Sequence, residues 1–131
     1  MQLTLQDDLA FTRLTIVYHG RTLDIDHVLL DTGSASTILA AREVANLGIV
    51  PERDDIVYTV RGVGGSEAVF TRRVDRVAVE AQALADFEIE VGSMNYGFDL
   101  NGILGMDFLT QAGAIISLRD LTLEFDAALS Q

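Results

Sequence analysis

Residues 31–37 read Asp-Thr-Gly-Ser-Ala-Ser-Thr, and they follow the apolar run Val-Leu-Leu at residues 28–30. A short apolar run of this kind is typical of a buried strand, and the small polar residues after it favour a tight turn. Asp31 therefore stands where a buried strand ends and the chain turns. Such an aspartate can be the structural cap of a following helix, or it can be a carboxylate that is held in place for chemistry.

A second informative segment lies far downstream, at residues 101–109. It reads Asn-Gly-Ile-Leu-Gly-Met-Asp-Phe-Leu, an apolar pair followed by glycine that runs into a short helical pattern. Together the two segments resemble the retropepsin-like aspartic proteases of retroviruses and gypsy-like retrotransposons, whose first motif is Asp-Thr/Ser-Gly and whose second is close to Ile-Leu-Gly-Met-Asp. The first motif alone is weak because such short strings recur by chance, whereas the ordered pair is specific.

The resemblance implies an aspartic endopeptidase with Asp31 as the catalytic carboxylate. In this family two adjacent carboxylates share one proton, so that one acts as a base toward water and the other as an acid toward the substrate carbonyl. This chain holds a single Asp-Thr-Gly and so supplies half of a site. The second carboxylate then comes from a second copy of the chain on a two-fold axis. The expected partners are therefore that second copy, in a homodimer, and a peptide or protein substrate in extended conformation.

The other residues of the first motif take their roles from the same resemblance. Thr32 is expected to turn inward and donate its hydroxyl across the axis to the partner loop, and Gly33 to let the backbone approach the substrate without a Cβ. Ser34 stands where many retroviral enzymes have Ala. A hydroxyl there is expected to donate to the outer oxygen of Asp31, which would favour the ionised carboxylate and an acidic working range.

The second motif supplies the support of the site in this resemblance. Ile103-Leu104-Gly105 is expected to pack beneath the site and to line its apolar specificity pockets. Asp107 resembles the acidic residue of the retrotransposon motif, where it caps or braces the helix below the site. Retroviral enzymes usually have an ion pair where this chain has Ala35 and Met106, and replacing both partners by apolar residues leaves no charge unmatched.

A glycine-rich segment lies between the two motifs, at the position of the family's flap. It consists of Gly62, Val63, Gly64, Gly65 and Ser66. A flap closes over an extended substrate, adds backbone hydrogen bonds in the manner of an added strand and excludes water. An ordinary hairpin tip is an equally open interpretation. A phosphate-binding loop is disfavoured, because no Lys-Ser/Thr follows the glycines and the chain is acidic.

Alternating apolar and polar residues dominate the chain, most clearly at residues 85–91, and they indicate strands with one buried face. A hairpin turn is predicted at 19–21, and a second hairpin is predicted from 56–60 to 68–70. The last strand is predicted at 121–125, around Leu123 and Phe125, and in the resemblance it joins the dimer sheet.

Two short helices are predicted. One covers residues 38–47, with Ser36 or Thr37 as its N-cap and Gly48 as a left-handed stop, and the other covers residues 106–111. Many short strands with so few helices predict an all-β fold, a closed β barrel of the retropepsin type.

The composition favours one compact domain over residues 1–131, since no linker or charge block divides the chain. Cysteine is absent, which excludes disulfides, thiolate metal sites and cysteine nucleophiles. The net charge of −11 repels phosphate backbones and anionic lipid, so nucleic acid and membrane surfaces are poor partners. No signal peptide opens the chain and no apolar run approaches the ~18 residues of a membrane span. We expect a soluble segment, with the cytoplasm favoured and excision from a larger anchored protein left open.

Alternatives to a homodimeric protease remain open. A non-catalytic dimerisation or peptide-binding module would keep the fold without turnover, and one half of a larger two-lobed chain would have its second carboxylate elsewhere. No metal or other cofactor is expected, because His19 and His27 are isolated and lack the carboxylate spacing of a metal site. A serine triad is disfavoured, since the sequence has no Gly-x-Ser-x-Gly elbow.

Overall fold

The computed structural model of the chain describes residues 1–62, 65–95 and 99–125. Strands dominate it, as the alternating pattern predicts. They are β1 Thr4–Gln6, β2 Leu9–Tyr18, β3 Arg21–Leu30, β4 Ile38–Ala40, β5 Tyr58–Gly62, β6 Gly65–Val79, β7 Gln82–Gly92, β8 Gly102–Leu104, β9 Ala114–Ser117 and β10 Thr122–Phe125. The helices are α1 Ala41–Val44, continued by a 3-10 turn at Ala45–Leu47, and α2 Met106–Ala112.

Eight of the strands form one sheet in the order β1-β2-β3-β8-β4-β7-β6-β5. Strand β2 also pairs with β6, with Ile16 opposite Val77, so the hydrogen bonding runs in a ring from β2 through β8 and back. The expected all-β fold with short helices is confirmed, and the ring-like sheet is the form that the expected barrel takes. Strands β1 and β5 extend from this ring.

The two sequence motifs lie side by side because β8 sits between β3 and β4. Strand β8 runs parallel to β3, with Leu104 opposite Leu30, and antiparallel to β4, with Ile103 opposite Ile38. Pairing in the sheet therefore brings the end of the first motif's strand next to the second motif, which is remote from it in sequence.

Two apolar clusters fill the interior. In the larger one Phe108 is fully buried and makes edge-to-face contacts with Phe87 and Phe125, at ring-centroid distances of 6.0 and 6.3 Å. Burial of such a side chain contributes roughly 1.5–3 kcal/mol. The smaller cluster lies near the motifs, and Val60 of β5 packs against it. Its buried members are Phe11, Ile38, Ala40, Met94, Leu100 and Ile103.

The helix predicted at 38–47 begins later than expected. Residues Ile38–Ala40 are strand β4, buried between β7 and β8, and α1 begins at Ala41 without a side-chain cap. Sheet pairing here overrides the local helical pattern, and the prediction of a Ser36 or Thr37 cap is wrong. The stop at Gly48 is confirmed, since this glycine has φ 81°.

The other predicted elements are confirmed with small changes of boundary. Strands β2 and β3 meet in a turn at His19 and Gly20, which have φ 50° and 79° as a two-residue hairpin turn requires. Helix α2 ends one residue later than predicted, at Ala112. In the second hairpin Gly62 pairs with Gly65.

The predicted C-terminal strand β10 is confirmed, and its role in a dimer sheet stays a prediction. One edge of β10 pairs with β9. At the other edge the Leu3 N–H donates to the Leu121 carbonyl at 2.7 Å, and the Leu123 N–H donates to the Met1 carbonyl at 2.9 Å. Thr122 and Leu123 therefore lie between β9 and the first residues of the same chain.

Candidate active site

Asp31 lies one residue beyond the end of β3 and is oriented by its own loop. Its N–H donates to the carbonyl of Leu104 in β8 at 3.1 Å, and its carbonyl accepts from the Ser34 N–H at 3.2 Å. The Gly33 N–H donates to Asp31 Oδ1 at 2.9 Å. A Cβ at Gly33 would lie 3.2 Å from that oxygen, so glycine allows the close approach. The carboxylate is thus held before any substrate arrives.

The loop around Asp31 faces outward. Thr32, Gly33 and Ala35 are exposed, and Met106 is 38% exposed. In the part of the chain that the structure describes, the Thr32 hydroxyl has no hydrogen-bond partner. Among the described residues, those exposed beside the carboxylate are therefore mostly apolar, and the Thr32 hydroxyl there is unpaired.

The expectation for Ser34 is corrected. Its hydroxyl donates to the carbonyl of Ser36 at 2.8 Å, and a hydroxyl has one proton to donate. That proton is not directed at Asp31, because the turn that follows the motif brings a backbone carbonyl closer. Ser34 therefore stabilises the turn. Because its hydroxyl does not donate to Asp31, the expectation of an acidic working range has no support from Ser34.

A buried threonine connects the two motifs beneath Asp31. Thr37 is fully buried, and its hydroxyl donates to Asp107 Oδ1 at 2.8 Å while accepting from the Gly105 N–H at 3.1 Å. The Thr37 N–H donates to Asp107 Oδ2 at 3.1 Å. Asp107 Oδ1 also accepts from the Phe108 N–H at 2.7 Å. Asp107 therefore braces the loop from within the first turn of α2, whose N-cap residue is Gly105 and has no side-chain cap.

Backbone contacts complete the junction between the motifs. The Met106 N–H donates to the carbonyl of Ser34 at 2.8 Å, and the Asp107 N–H donates to the carbonyl of Ala35 at 3.1 Å. A Cβ at Gly105 would lie 2.3 Å from the carbonyl oxygen of Ser36, so the two backbones can approach this closely only at a glycine.

Ile103 and Leu104 point to opposite faces of β8. Leu104 is fully buried in the larger cluster, below the Asp31 loop, and Ile103 is 9% exposed in the smaller cluster. Both therefore lie next to the loop, and whether Ile103 lines a substrate pocket stays a prediction.

The glycine-rich segment is a hairpin that connects β5 and β6. Gly62 pairs with Gly65, and Ser66, which is exposed, pairs with residue 61. Val63 and Gly64 lie outside the described residues. The hairpin has the strand pairing that a flap needs, and its closure over Asp31 stays a prediction.

Sequence reasoning missed a side-chain contact at the base of this hairpin. The Tyr58 hydroxyl donates to Glu90 Oε2 at 2.7 Å. Burial, the hydrogen bond to Glu90 and the negative charges of Glu90 and Glu88 raise the pKa of Tyr58 to about 12. Tyr58 therefore remains a hydrogen-bond donor throughout the neutral and acidic range.

The described residues contain no group of three or more histidines or carboxylates placed to hold a metal ion. His27 stacks on Phe11 and His19 stacks on Tyr18, with ring centroids 4.0 and 3.9 Å apart. None of the helices in the described ranges has the length and apolarity that crossing a bilayer requires.

The fold and the placement of the two motifs define a retropepsin-like protein. The chain is similar to the crystal structure of a retropepsin-like aspartic protease from Rickettsia conorii, with a TM-score of 0.66 and 17% sequence identity over 93% of this chain and 95% of that chain. A family model described as aspartyl protease matches residues 14–108, and the chain belongs to this aspartyl protease family. No curated protein matches it.

Replacement of Thr37 by Val is expected to destabilise the protein. Loss of the hydroxyl leaves the buried Gly105 N–H without its acceptor and removes one of the two donors to Asp107 Oδ1, which costs roughly 2–4 kcal/mol in the free energy of unfolding. Urea unfolding at neutral pH measures this cost. Thr37→Ser keeps the hydroxyl and should retain most of the stability, whereas equal loss in both variants would assign the effect to packing.

The raised pKa of Tyr58 predicts a loss of stability in alkali. The neutral phenol is favoured in the folded state, so this contribution is complete below the ordinary value of 10.0 and is lost as the pH rises toward about 12. Tyr58→Phe should show a shallower decline of unfolding free energy between these two values, measured by urea unfolding in a pH series. A decline as steep as in the parent protein would contradict the assignment.

Proposed function

We propose that this chain is an aspartic endopeptidase that acts as a homodimer, with one Asp31 carboxylate from each copy. The observation that carries the proposal is the pre-oriented Asp31 carboxylate on an exposed loop, in a chain with a single Asp-Thr-Gly. The chain's membership of the aspartyl protease family supports the general activity.

The chemistry requires a base and an acid in close contact. Two carboxylates that approach closely cannot both ionise, so they hold one proton between them, as is established for the aspartic-protease dyad. The ionised carboxylate takes a proton from water, and the protonated one donates to the carbonyl oxygen of the scissile peptide. Asp31 and its symmetry mate would fill these two roles.

The exposed surface around Asp31 supports a second copy as the source of the other carboxylate. A two-fold axis brings identical surfaces together, and Ala35 and Met106 offer an apolar contact there. The Thr32 hydroxyl, which has no partner within the described chain, would donate to the partner loop. Gly33 leaves room for the two loops and the substrate.

The substrate that suits this arrangement is an extended peptide. The hairpin with Gly62, Gly65 and Ser66, together with Val63 and Gly64, would act as a flap that adds backbone hydrogen bonds and excludes water. Ile103 would contribute to an apolar specificity pocket next to Asp31. The net charge of −11 disfavours acidic peptides.

Replacement of Asp31 by Asn is expected to lower peptide cleavage by about 10²–10⁴-fold, because the shared proton and the base are both lost. Cleavage of an unfolded protein, followed by mass spectrometry across a pH series with and without a pepstatin-type inhibitor, measures the effect. Thr15→Val is the matched control, since it removes an exposed hydroxyl hydrogen bond on β2, to Asp24.

The outcomes separate the candidate functions. An excess of the Asn variant should also inhibit the parent protein, since mixed dimers carry a single acid. Undiminished cleavage by the Asn variant would remove the enzyme assignment. Absence of cleavage by a dimeric parent protein at every pH would favour a peptide-binding module.

A further inference from the structure

We propose that the hydrogen bond from Tyr58 to Glu90 sets the position of the β5–β6 hairpin relative to the Asp31 loop, which makes both residues positioning residues for peptide hydrolysis. This inference rests on the proposed function of the hairpin as a flap. It adds to that proposal a specific hydrogen bond, between Tyr58 and Glu90, that holds the hairpin at its base.

The bond spans three neighbouring strands. Tyr58, the first residue of β5, pairs with Val69 of β6, and Val69 pairs with Gly92 of β7. Glu90 is two residues from Gly92, on the same face of the sheet. The Tyr58 side chain therefore reaches over β6 to the strand beyond it, and the 2.7 Å hydrogen bond ties β5 directly to β7.

Glu90 in turn is attached to the catalytic loop. Its N–H donates to the carbonyl of Thr37 at 3.0 Å, and it lies opposite Ile38 in the parallel pairing of β7 with β4. Thr37 is the residue whose hydroxyl contacts both Gly105 and Asp107. Consecutive hydrogen bonds thus lead from the first residue of the hairpin to the junction beneath Asp31.

A cavity of about 360 Å³ lies at this connection. Tyr58 and Glu90 line it together with Ser36 of the loop and Asp107 of the second motif. The base of the hairpin and residues of both motif segments therefore line the same cavity, so a shift of β5 changes the shape of that cavity.

The Glu90 carboxylate makes the connection hard to replace. Glu90 is 8% exposed, and within the described residues no cation lies at ion-pair distance from it. The nearby Arg73 contacts Asp86 and Glu88 instead. Removal of the Tyr58 hydroxyl takes away the side-chain donor that the described residues give this carboxylate and so frees β5 from β7 at this point.

Among the residues that the structure describes, few other contacts hold β5 in place. It is the terminal strand of the sheet and pairs with β6 alone, and Val60 packs against the smaller apolar cluster. Without the hydrogen bond between Tyr58 and Glu90, the hairpin would sample more open positions. A smaller fraction of its positions would then bind an extended peptide. Weaker substrate binding, with less change in the chemical step, is the expected consequence.

The test compares Tyr58→Phe, Glu90→Gln and the double variant with the parent protein and with Thr15→Val. The substrate is a fluorogenic peptide made from a site that the parent protein cleaves. We expect Tyr58→Phe to raise KM by about threefold to tenfold with kcat within about twofold. Glu90→Gln keeps an acceptor oxygen and should have a smaller effect, and its effect should vanish when Phe is already at position 58.

A second measurement does not depend on activity. Hydrogen exchange of residues 58–62 should become faster in Tyr58→Phe and stay unchanged in Thr15→Val. Unchanged exchange, unchanged KM, or an equal rise of KM in Thr15→Val would each overturn the proposal. If Tyr58→Phe does not fold, the same criteria apply to Glu90→Leu, which removes the acceptor of the bond. Failure of the parent protein to cleave, or full cleavage by Asp31→Asn, overturns the proposed function instead. Hydrogen exchange then still shows whether the bond between Tyr58 and Glu90 holds β5 in place.

Discussion

The insertion of β8 between β3 and β4 is the constraint on which the rest of the structure depends. It places the Leu104 carbonyl where it accepts the N–H of Asp31, and it brings Gly105 so close to Ser36 that no Cβ fits between them. The buried Thr37 hydroxyl then joins Gly105 and Asp107. Because these contacts use backbone groups, the buried Thr37 hydroxyl and the Asp107 carboxylate, the Asp31 loop is positioned by the sheet and the two motifs.

The same constraint bears on the proposed dimer, in which each chain would supply half of the site. Within the described residues, the sheet and the Thr37 junction occupy the inner side of the loop, and the outer side is the one open to a second carboxylate. That side carries exposed Thr32, Gly33 and Ala35. Because Ala35 and Met106 are uncharged, neither position needs an ion-pair partner across such an interface. In the proposed dimer, self-association and catalysis therefore depend on the same small surface.

Sequence reasoning predicted what local patterns and the two ordered motifs encode: the hairpin turn at Gly20, the stop at Gly48 and the all-β class. It placed the start of α1 wrongly, because residues 38–40 satisfy sheet pairing that no local window contains. The role of Ser34 was also predicted wrongly, because its hydroxyl donates to the Ser36 carbonyl, which comes within reach only in the folded turn. The Tyr58 to Glu90 bond joins residues on non-adjacent strands, and nothing in the sequence of either strand pairs them. The role of Thr37 was indicated in the sequence by one weak signal, a hydroxyl residue directly before the apolar run at residues 38–40.

The most direct test of the central claim measures the cleavage rate per chain and the mass of the protein in solution over one concentration series. If two copies complete the site, the rate per chain rises with concentration in proportion to the dimer fraction, and it becomes constant where dimerisation is complete. Sedimentation equilibrium gives that fraction independently. A rate per chain that stays constant down to concentrations at which the protein is entirely monomeric would contradict the account.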